Sequence, residues 1–447
     1  MYYLSIVLGT LFLLSGCTLH EKSHISSSVA VEQNSVEDKI ETIDELQRIP
    51  QEIGFYTKNV LFHDLNTTEL SYEKKYFSVW SANSMKTTLK DAMWADRLYR
   101  DKEVYGENLQ PLAKSFFEKN LKNANYEAFG KLNQRGVTLR HVDLRAMPEE
   151  KPLFLDPSKA GEGFPFDYLQ NSSIAANKPL RLSHYSKDRE WVFVESSFAF
   201  GWIKSKDFVV IKQKYSDLWQ KAEQVFLLKD NIPLYNEKGE FLFHSQIGMM
   251  LALIKEDKES YTILTIGKDR ESKAVYFKTK IPKSIAHNGI LPFTATNINK
   301  ILQEISKSKY GWGGLYGERD CSSTLRDFYA PFGLWLPRNS YKQSLSGSVV
   351  MMEGLSSLEK LERIKKEATP FRTLIYKHGH IGLYVGTLDG EVIFYQNVWG
   401  VKTLQDKVEG RFIIGKPIFS TLEVGSNLKY FDKNSTMLQK LKSITKL

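Results

Sequence analysis

Two cysteines stand in this 447-residue sequence, and each lies far from the other. Cys321 sits in YGWGGLYGERDCSSTLRDFY, and His380 follows in HGHIGLYVG. A thiol attacks as its thiolate, and a free cysteine is only a few per cent ionised at neutral pH. A helix N-terminus and a nearby imidazole both ease that ionisation. Gly311, Gly313, Gly314 and Gly317 form a turn-like stretch before Cys321, and a helical pattern starts at Ser322. The helix dipole favours negative charge at that end, and backbone N–H groups there can hold a developing oxyanion. His380 opens the alternating run His380-Ile381-Gly382-Leu383-Tyr384-Val385-Gly386, so it shares a strand face with Gly382 and Tyr384. His378 is a competing base two residues earlier. On the next strand Val392, Phe394 and Gln396 share one face. Gln396 can accept from the imidazole N–H and fix its tautomer, the task of a third triad member; Asn397 is the other candidate for that position. A lone Cys is more often a small buried hydrophobe, and a lone His an ordinary hydrogen-bonded side chain. The order of helix-start Cys, strand His and a polar residue on the next strand favours the nucleophilic reading.

These residues need a scaffold. ATNINKILQEISKSKYGW reads as an amphipathic helix, and DCSSTLRDFYAPFG opens a second helix at the cysteine. HIGLYVG and EVIFYQNVWG read as adjacent strands joined by a turn at Asp389-Gly390. GRFIIGKPIF is a further strand, and STMLQKLKSITKL a basic helix-like tail, either packed on a neighbour or frayed. Upstream, GVTLRHVDLR, KPLRLSHYS, WVFVESS and GWIKSKDFVVI are short period-two strands whose spacing suggests a small barrel. VFLLKDNIPLYN, FLFHSQIGMMLALIKED, YTILTIGKD and AVYFKTKIP form a second such set. Before them, SANSMKTTLKDAMWADRLYRDKEVYG reads as a helix capped by Ser81 or Asn83, and LQPLAKSFFEKNLKNANYEAF as another with Pro111 near its start. The expected division is a helical segment over 46–134, barrels over 135–213 and 214–295, a domain carrying Cys321 over 296–420 and a tail over 421–447. The fold class is α+β.

The composition, 42% hydrophobic and 25% charged, is that of a globular protein. The net charge of +9 comes from 61 basic and 52 acidic residues without a dense Lys/Arg stripe among aromatics, so no nucleic-acid partner is expected. The excess suits attraction to anionic envelope polymers or lipid headgroups. Neither a metal nor a cofactor is expected, and the chain reads as a monomer. MYYLSIVLGTLFLLSG is apolar but shorter than the ~20 residues of a membrane-spanning helix, and it fits a signal-peptide core over 1–16. Leu14-Ser15-Gly16-Cys17 resembles the bacterial lipoprotein lipobox, which implies a lipid-modified Cys17; no Lys or Arg precedes the apolar run. Residues 17–45 are polar and Ser-rich, as in a tether. Cys321 then remains an odd free thiol in an exported protein, a candidate for reactivity. The expected location is the cell envelope. Thr18, where an Asp would favour retention in an inner membrane, points to the outer membrane if the cell has one.

The run YGWGG…DCSS, GHIGLYVG and FYQNVWG resembles the NlpC/p60 family of papain-like cell-wall cysteine peptidases, over about 120 residues. The layout resembles its longer branch, in which a helical N-terminal segment and two bacterial SH3-like barrels precede the catalytic domain. The resemblance implies a hydrolase of peptidoglycan stem peptides, cutting γ-D-glutamyl to diamino-acid bonds through a thioester. It makes Cys321 the nucleophile and His380 the base. Gln396 falls where the family most often has a second His. Asp320 and Ser322 match positions that hold the substrate's free amine and D-Glu carboxylate, and Ser340 in LPRNSYKQ matches a carboxylate-binding serine. Tyr310 matches the family's Tyr near the nucleophile. Asp320 has a purely structural alternative, as cap of the Cys321 helix.

Two other functions stay open on the residues alone. One is a non-catalytic envelope-binding lipoprotein in which the barrels do the binding. The other is acyl transfer or lipid amidase chemistry on a related fold, disfavoured because its circularly permuted form would reverse the order of Cys and His.

Overall fold

The period-two runs pair as antiparallel sheets in the computed structural model, which describes residues 42–58 and 60–447. The leader, Cys17 and most of the tether lie outside the described residues. Among those described, no helix is long and apolar enough to cross a membrane. The first barrel orders its seven strands Gln170–Ile174, Val142–Arg145, Phe200–Lys204, Trp191–Glu195, Pro179–Tyr185, Gln134–Thr138 and Phe208–Val210. Alternating Val142, Leu144, Leu180, Leu182, Val192 and Val194 fill its interior. Each large apolar side chain so buried contributes about 1.5–3 kcal/mol. The second barrel is a five-stranded sheet, Ala274–Pro282, Ser260–Lys268, Met250–Glu256, Gln224–Leu227 and Ala286–Asn288, with the hairpin Pro233–Tyr235 and Phe241–His244 beside it. FLFHSQIGMMLALIKED therefore breaks in two. Gly248, at φ +83°, turns the chain between Phe241–His244 and Met250–Glu256.

The N-terminal segment is helical but in shorter pieces than its periodicity predicts. SANSMKTTLKDAMWADRLY forms Leu89–Ala92 and Trp94–Tyr99, split at Met93, and Thr88 caps the first through a reciprocal bond with Asp91. Ser81 and Asn83 are not its caps. The second predicted helix runs Lys114–Asn123. These pieces act as fasteners. Trp80, fully buried, donates its Nε1–H between the Gly136 and Leu180 carbonyls of the first barrel, both at 3.2 Å. Its ring lies 5.5 Å from Phe77 and 5.7 Å from Trp219. Further upstream, Gln51 exchanges hydrogen bonds with the Phe419 backbone at 2.9 and 3.0 Å. Thr57 donates to Asn299 at 2.9 Å. One segment thus grips both a barrel and the C-terminal domain.

The C-terminal domain has a six-stranded sheet in the order Ser348–Met351, Leu441–Lys446, Thr373–Lys377, His380–Leu388, Glu391–Gln405 and Val408–Ser420. The helix Cys321–Tyr329 packs Leu325, Phe328 and Tyr329 on one face of it, together with Ile298, Ile301 and Leu302 of Ala295–Ile305. The tight turn between the fourth and fifth strands uses Asp389 at φ +49° and Gly390 at φ +83°. The expected helix-like tail is corrected here. Only Met437–Lys440 is helical, and Leu441–Lys446 is a strand bonded on both edges, to Ser348–Met351 and Thr373–Lys377. Leu441, Ser443, Ile444 and Thr445 are buried by that pairing, so the end of the chain is a structural strand of the sheet.

Candidate active site

Cys321 is the first residue of its helix, and Asp320 is the N-cap. Asp320 Oδ1 accepts from the Ser323 backbone N–H at 2.8 Å, and Ser323 Oγ accepts from the Asp320 N–H at 2.9 Å. This capping box satisfies two donors that helix geometry leaves orphaned. It also fixes the orientation of the first turn and of the thiol on it. The sulfur is buried. Burial, and then the negative charge of Asp320, push the thiol up to about 12. Backbone N–H groups of Ile381 and Ser322 and the cation of Arg338 pull in the opposite direction. The Ile381 contact puts the sulfur one residue from His380.

His380 opens its strand directly after the turn at His378 and Gly379. His378 is exposed in that turn and does not share the strand face of His380, which removes it as the competing base. His380 Nε2 lies 2.7 Å from Gln396 Oε1. Gln396 Nε2 donates to Ser420 Oγ at 2.7 Å, and Ser420 Oγ donates to the Thr421 carbonyl at 2.9 Å. The Thr421 carbonyl can only accept, so the Ser420 hydroxyl must donate to it and accept from Gln396. The amide oxygen of Gln396 is thereby turned to the imidazole, which fixes the proton on Nε2 and leaves a bare lone pair on Nδ1. Burial, and then the charge of Lys377, push the imidazole down to about 4. Asn397 is fully buried, and its amide donates to the Arg319 carbonyl at 2.7 Å and Thr324 Oγ1 at 3.0 Å. It braces the Cys321 helix, and Gln396 is the one that meets the imidazole.

The substrate-side residues divide. Tyr310 lies beside Cys321: after burial, the charges of Cys321 and Asp320 push its hydroxyl well above the usual phenol range. Ser322 Oγ donates to Asp320 Oδ1 at 3.1 Å and accepts from Arg338 Nη1 at 2.9 Å. Asp320 is held by a two-pronged Arg338 fork at 2.7 and 3.1 Å, and it also accepts from the Gly313 N–H at 3.2 Å and Ser323 Oγ at 2.9 Å. Its lone pairs are all engaged, so the capping role is the one this geometry displays. An incoming amine would have to displace an existing partner. Ser340 opens the short helix Ser340–Gln343 outside this network, and Gln343 ties that helix to the Ser322 carbonyl at 2.7 Å.

Sequence reasoning did not find Arg338. Its guanidinium is mostly buried, and its third arm reaches Ser172 Oγ on the first barrel at 2.7 Å. No local pattern signals a pairing over that separation. The barrel is brought this close by Gly313 and Gly314, both at positive φ. A Cβ on Gly313 would stand 2.5 Å from the Gln170 carbonyl, and one on Gly314 would stand 2.0 Å from Ser173 Oγ. Trp312 Nε1 donates to the Asp167 carbonyl at 2.9 Å beside them. The first barrel is therefore a wall of the site. Arg338→Met is expected to cost about 3–5 kcal/mol in urea unfolding, because it strands a buried carboxylate. Adding Asp320→Asn should return most of that loss; a single-variant cost below about 1 kcal/mol would show that the pair does not hold the site together.

Four family models match successive stretches of the chain. Residues 307–409 match the family model of the NlpC/P60 family, and residues 6–129 that of the NLPC_P60 N-terminal stabilising domain. Residues 152–204 match an SH3 domain of SH3b1 type, and residues 213–258 one of SH3b2 type. The solved structure of an NlpC/P60 endopeptidase from Photobacterium damselae subsp. piscicida is similar, with a TM-score of 0.76 at 21% identity, over 89% of this chain and 97% of that one. An NlpC/P60 family protein from Bacillus cereus covers 70% of this chain and 99% of its own, with a TM-score of 0.45 at 16% identity. No curated protein matches. With the family's domain around Cys321 and its stabilising and SH3 domains ahead of it, the chain belongs to the NlpC/P60 family, an assignment consistent with a cell-wall peptidase.

Proposed function

We propose that the protein is a peptidoglycan hydrolase, a cysteine endopeptidase that cuts the γ-D-glutamyl to diamino-acid bond of stem peptides. The observation that carries the chemistry is the Ser420–Gln396–His380 chain, which leaves Nδ1 bare on the residue adjoining Ile381, whose backbone N–H meets the Cys321 sulfur. His380 Nδ1 takes the thiol proton as sulfur attacks the γ-carbonyl carbon. The first N–H groups of the helix face the oxygen that becomes negative. Collapse expels the amine of the diamino acid, which receives the proton from His380. Water, activated by the same nitrogen, then hydrolyses the thioester and frees the γ-carboxyl of D-Glu. The family assignment supports the choice of bond. Mass spectrometry of products from defined tri- and tetrapeptide stems tests it, with and without a free L-Ala amine. Scission between D-Glu and the diamino acid is the expected outcome; intact stems, or cutting at another bond, would sink the reading.

The same reading puts the enzyme at the cell envelope, anchored through acylated Cys17 with residues 18–41 as its leash, since Thr42 to Glu45 dock on the C-terminal domain. The lipobox-like Leu14-Ser15-Gly16-Cys17 supports this. Cys17→Ser should move the protein from the membrane to the soluble fraction and abolish incorporation of labelled fatty acid. Unchanged membrane partitioning would count against the anchor.

A further inference from the structure

Which nitrogen of His380 carries the proton is decided at the far end of the chain that reaches it. Gln396 Oε1 faces His380 Nε2 at 2.7 Å, Gln396 Nε2 donates to Ser420 Oγ at 2.7 Å, and Ser420 Oγ donates to the Thr421 carbonyl at 2.9 Å. A serine hydroxyl has one proton to give. If the Thr421 carbonyl swung away, the acceptor left in this chain would be Gln396 Oε1, reached by a flip of the amide. The flipped amide would offer its N–H to the imidazole. His380 Nε2 would then have to accept, and the single ring proton would pass to Nδ1, the nitrogen that must take the Cys321 proton.

Thr421 is thus the point that sets the chain's direction, and the sheet does not hold it. The ladder between the last two strands ends at Ser420, opposite Phe394. Glu45 holds Thr421 instead, from 376 positions upstream. Its carboxylate accepts from the Thr421 backbone N–H at 3.0 Å and from Thr421 Oγ1 at 3.1 Å. A carboxylate can only accept, so the Thr421 hydroxyl must donate to it, and that hydroxyl accepts in turn from the Glu423 N–H at 3.2 Å. One carboxylate therefore fixes both backbone and side chain of Thr421, and with them the direction of its carbonyl.

Glu45 is itself well seated. It is buried, Ile43 beside it packs with Val401 and Leu428, and Asn427 bonds the Asp44 N–H at 3.2 Å and the Thr42 carbonyl at 2.7 Å. The neighbouring cation, Arg48, is turned to Glu391 at 2.5 Å. Among the described residues, every side-chain hydrogen bond of Glu45 goes to Thr421. Burying a carboxylate is costly, and these bonds are what its burial secures.

We propose that Glu45 is a positioning residue for the reaction above: by holding Thr421 it sets the direction of each hydrogen bond from Ser420 to His380 and keeps Nδ1 free to act as the base. It touches neither the thiol nor the substrate. Its effect on rate rests on the peptidase reading, whereas its effect on the imidazole does not, so both are measured.

The ring ¹⁵N shifts of His380, assigned by their loss in His380→Gln, report which nitrogen holds the proton. The native protein should show the Nε2–H form. Glu45→Met keeps the bulk and removes the acceptor. It should bring in the Nδ1–H form and lower kcat on a defined stem peptide about fivefold to tenfold, the worth of about one hydrogen bond, with KM within about twofold. Glu45→Gln keeps an acceptor for the Thr421 N–H and should restore the native ring and most of the rate. Gln51→Ala loosens the same stretch at Phe419 without touching Thr421. It should lower the melting temperature and leave the ring as in the native protein. An Nδ1–H ring in the native protein, a Glu45→Met ring identical to the native one, or the same change in Gln51→Ala would overturn the role of Glu45. The first of these needs no variant to fold. A native protein that cleaves no stem, while Glu45→Met still moves the ring proton, would sink the peptidase reading alone.

Discussion

Cys321→Ala is expected to lower kcat/KM on a defined stem peptide by about 10⁴-fold or more, while the protein stays folded. The change removes one sulfur from a helix start whose cap is made by Asp320 and Ser323 and is untouched. The pH dependence of the native enzyme carries more information. In the free protein the thiol is pushed up to about 12 and the imidazole down to about 4, both chiefly by burial. Between those values both groups are neutral. His380 can act as a base only when unprotonated. Activity should therefore rise as pH increases through about 4 and then stay level, with no fall near pH 8 or 9. Alkylation of the free enzyme by iodoacetamide follows the thiolate fraction, so its rate should climb about tenfold per pH unit from 6 to 9. An alkylation rate that is flat from pH 5 to 8 would mark a preformed thiolate–imidazolium pair and would refute the neutral resting state.

What the sequence disclosed and what it hid separate on physical grounds. His380 and Gln396 were readable because strand period alone puts both on one face, and the two strands are joined by a two-residue turn. The Cys321 helix start was readable because a cap and a glycine stretch act within a few residues. Arg338, Ser172 and Ser420 were not, since each matters only through a partner that folding brings from another strand or domain. Ser420 closes the Gln396 chain from 24 positions away, and Ser172 meets Arg338 across 166. The last strand was misread for a related reason. LQKLK has a helix-like apolar spacing, but Ile444 and Thr445 are β-branched and find open strand edges on both sides. Tertiary pairing outweighs a local propensity of a few tenths of a kcal/mol per residue.

Gln396 is the residue whose replacement best separates positioning from packing. Gln396→Leu leaves the His380 Nε2–H and the Ser420 hydroxyl facing an apolar group in a buried place, at a cost of about 1–3 kcal/mol. It also frees the imidazole to change tautomer and tilt, which should reduce kcat by about 10²-fold. A lost packing residue could lower activity as well, so the diagnostic variant is Gln396→Glu. Its carboxylate keeps the acceptor on Nε2–H but adds a negative charge, which favours the imidazolium. The sign follows directly: the pKa of His380 rises from about 4, the base is lost at a higher pH, and the acid limb of kcat/KM moves upward by one unit or more. Gln396→His restores an acceptor of neutral charge and should keep activity within about tenfold of the native enzyme with the acid limb near its original place. If Gln396→Glu left the acid limb unmoved and Gln396→Leu kept kcat within about threefold, the 2.7 Å contact with His380 would be packing alone. The imidazole would then owe its orientation to its place at the head of the strand. A shifted limb together with a large loss in Gln396→Leu would instead show that tautomer control passes through this amide, so that a glutamine suffices at a position where the family more often has a histidine.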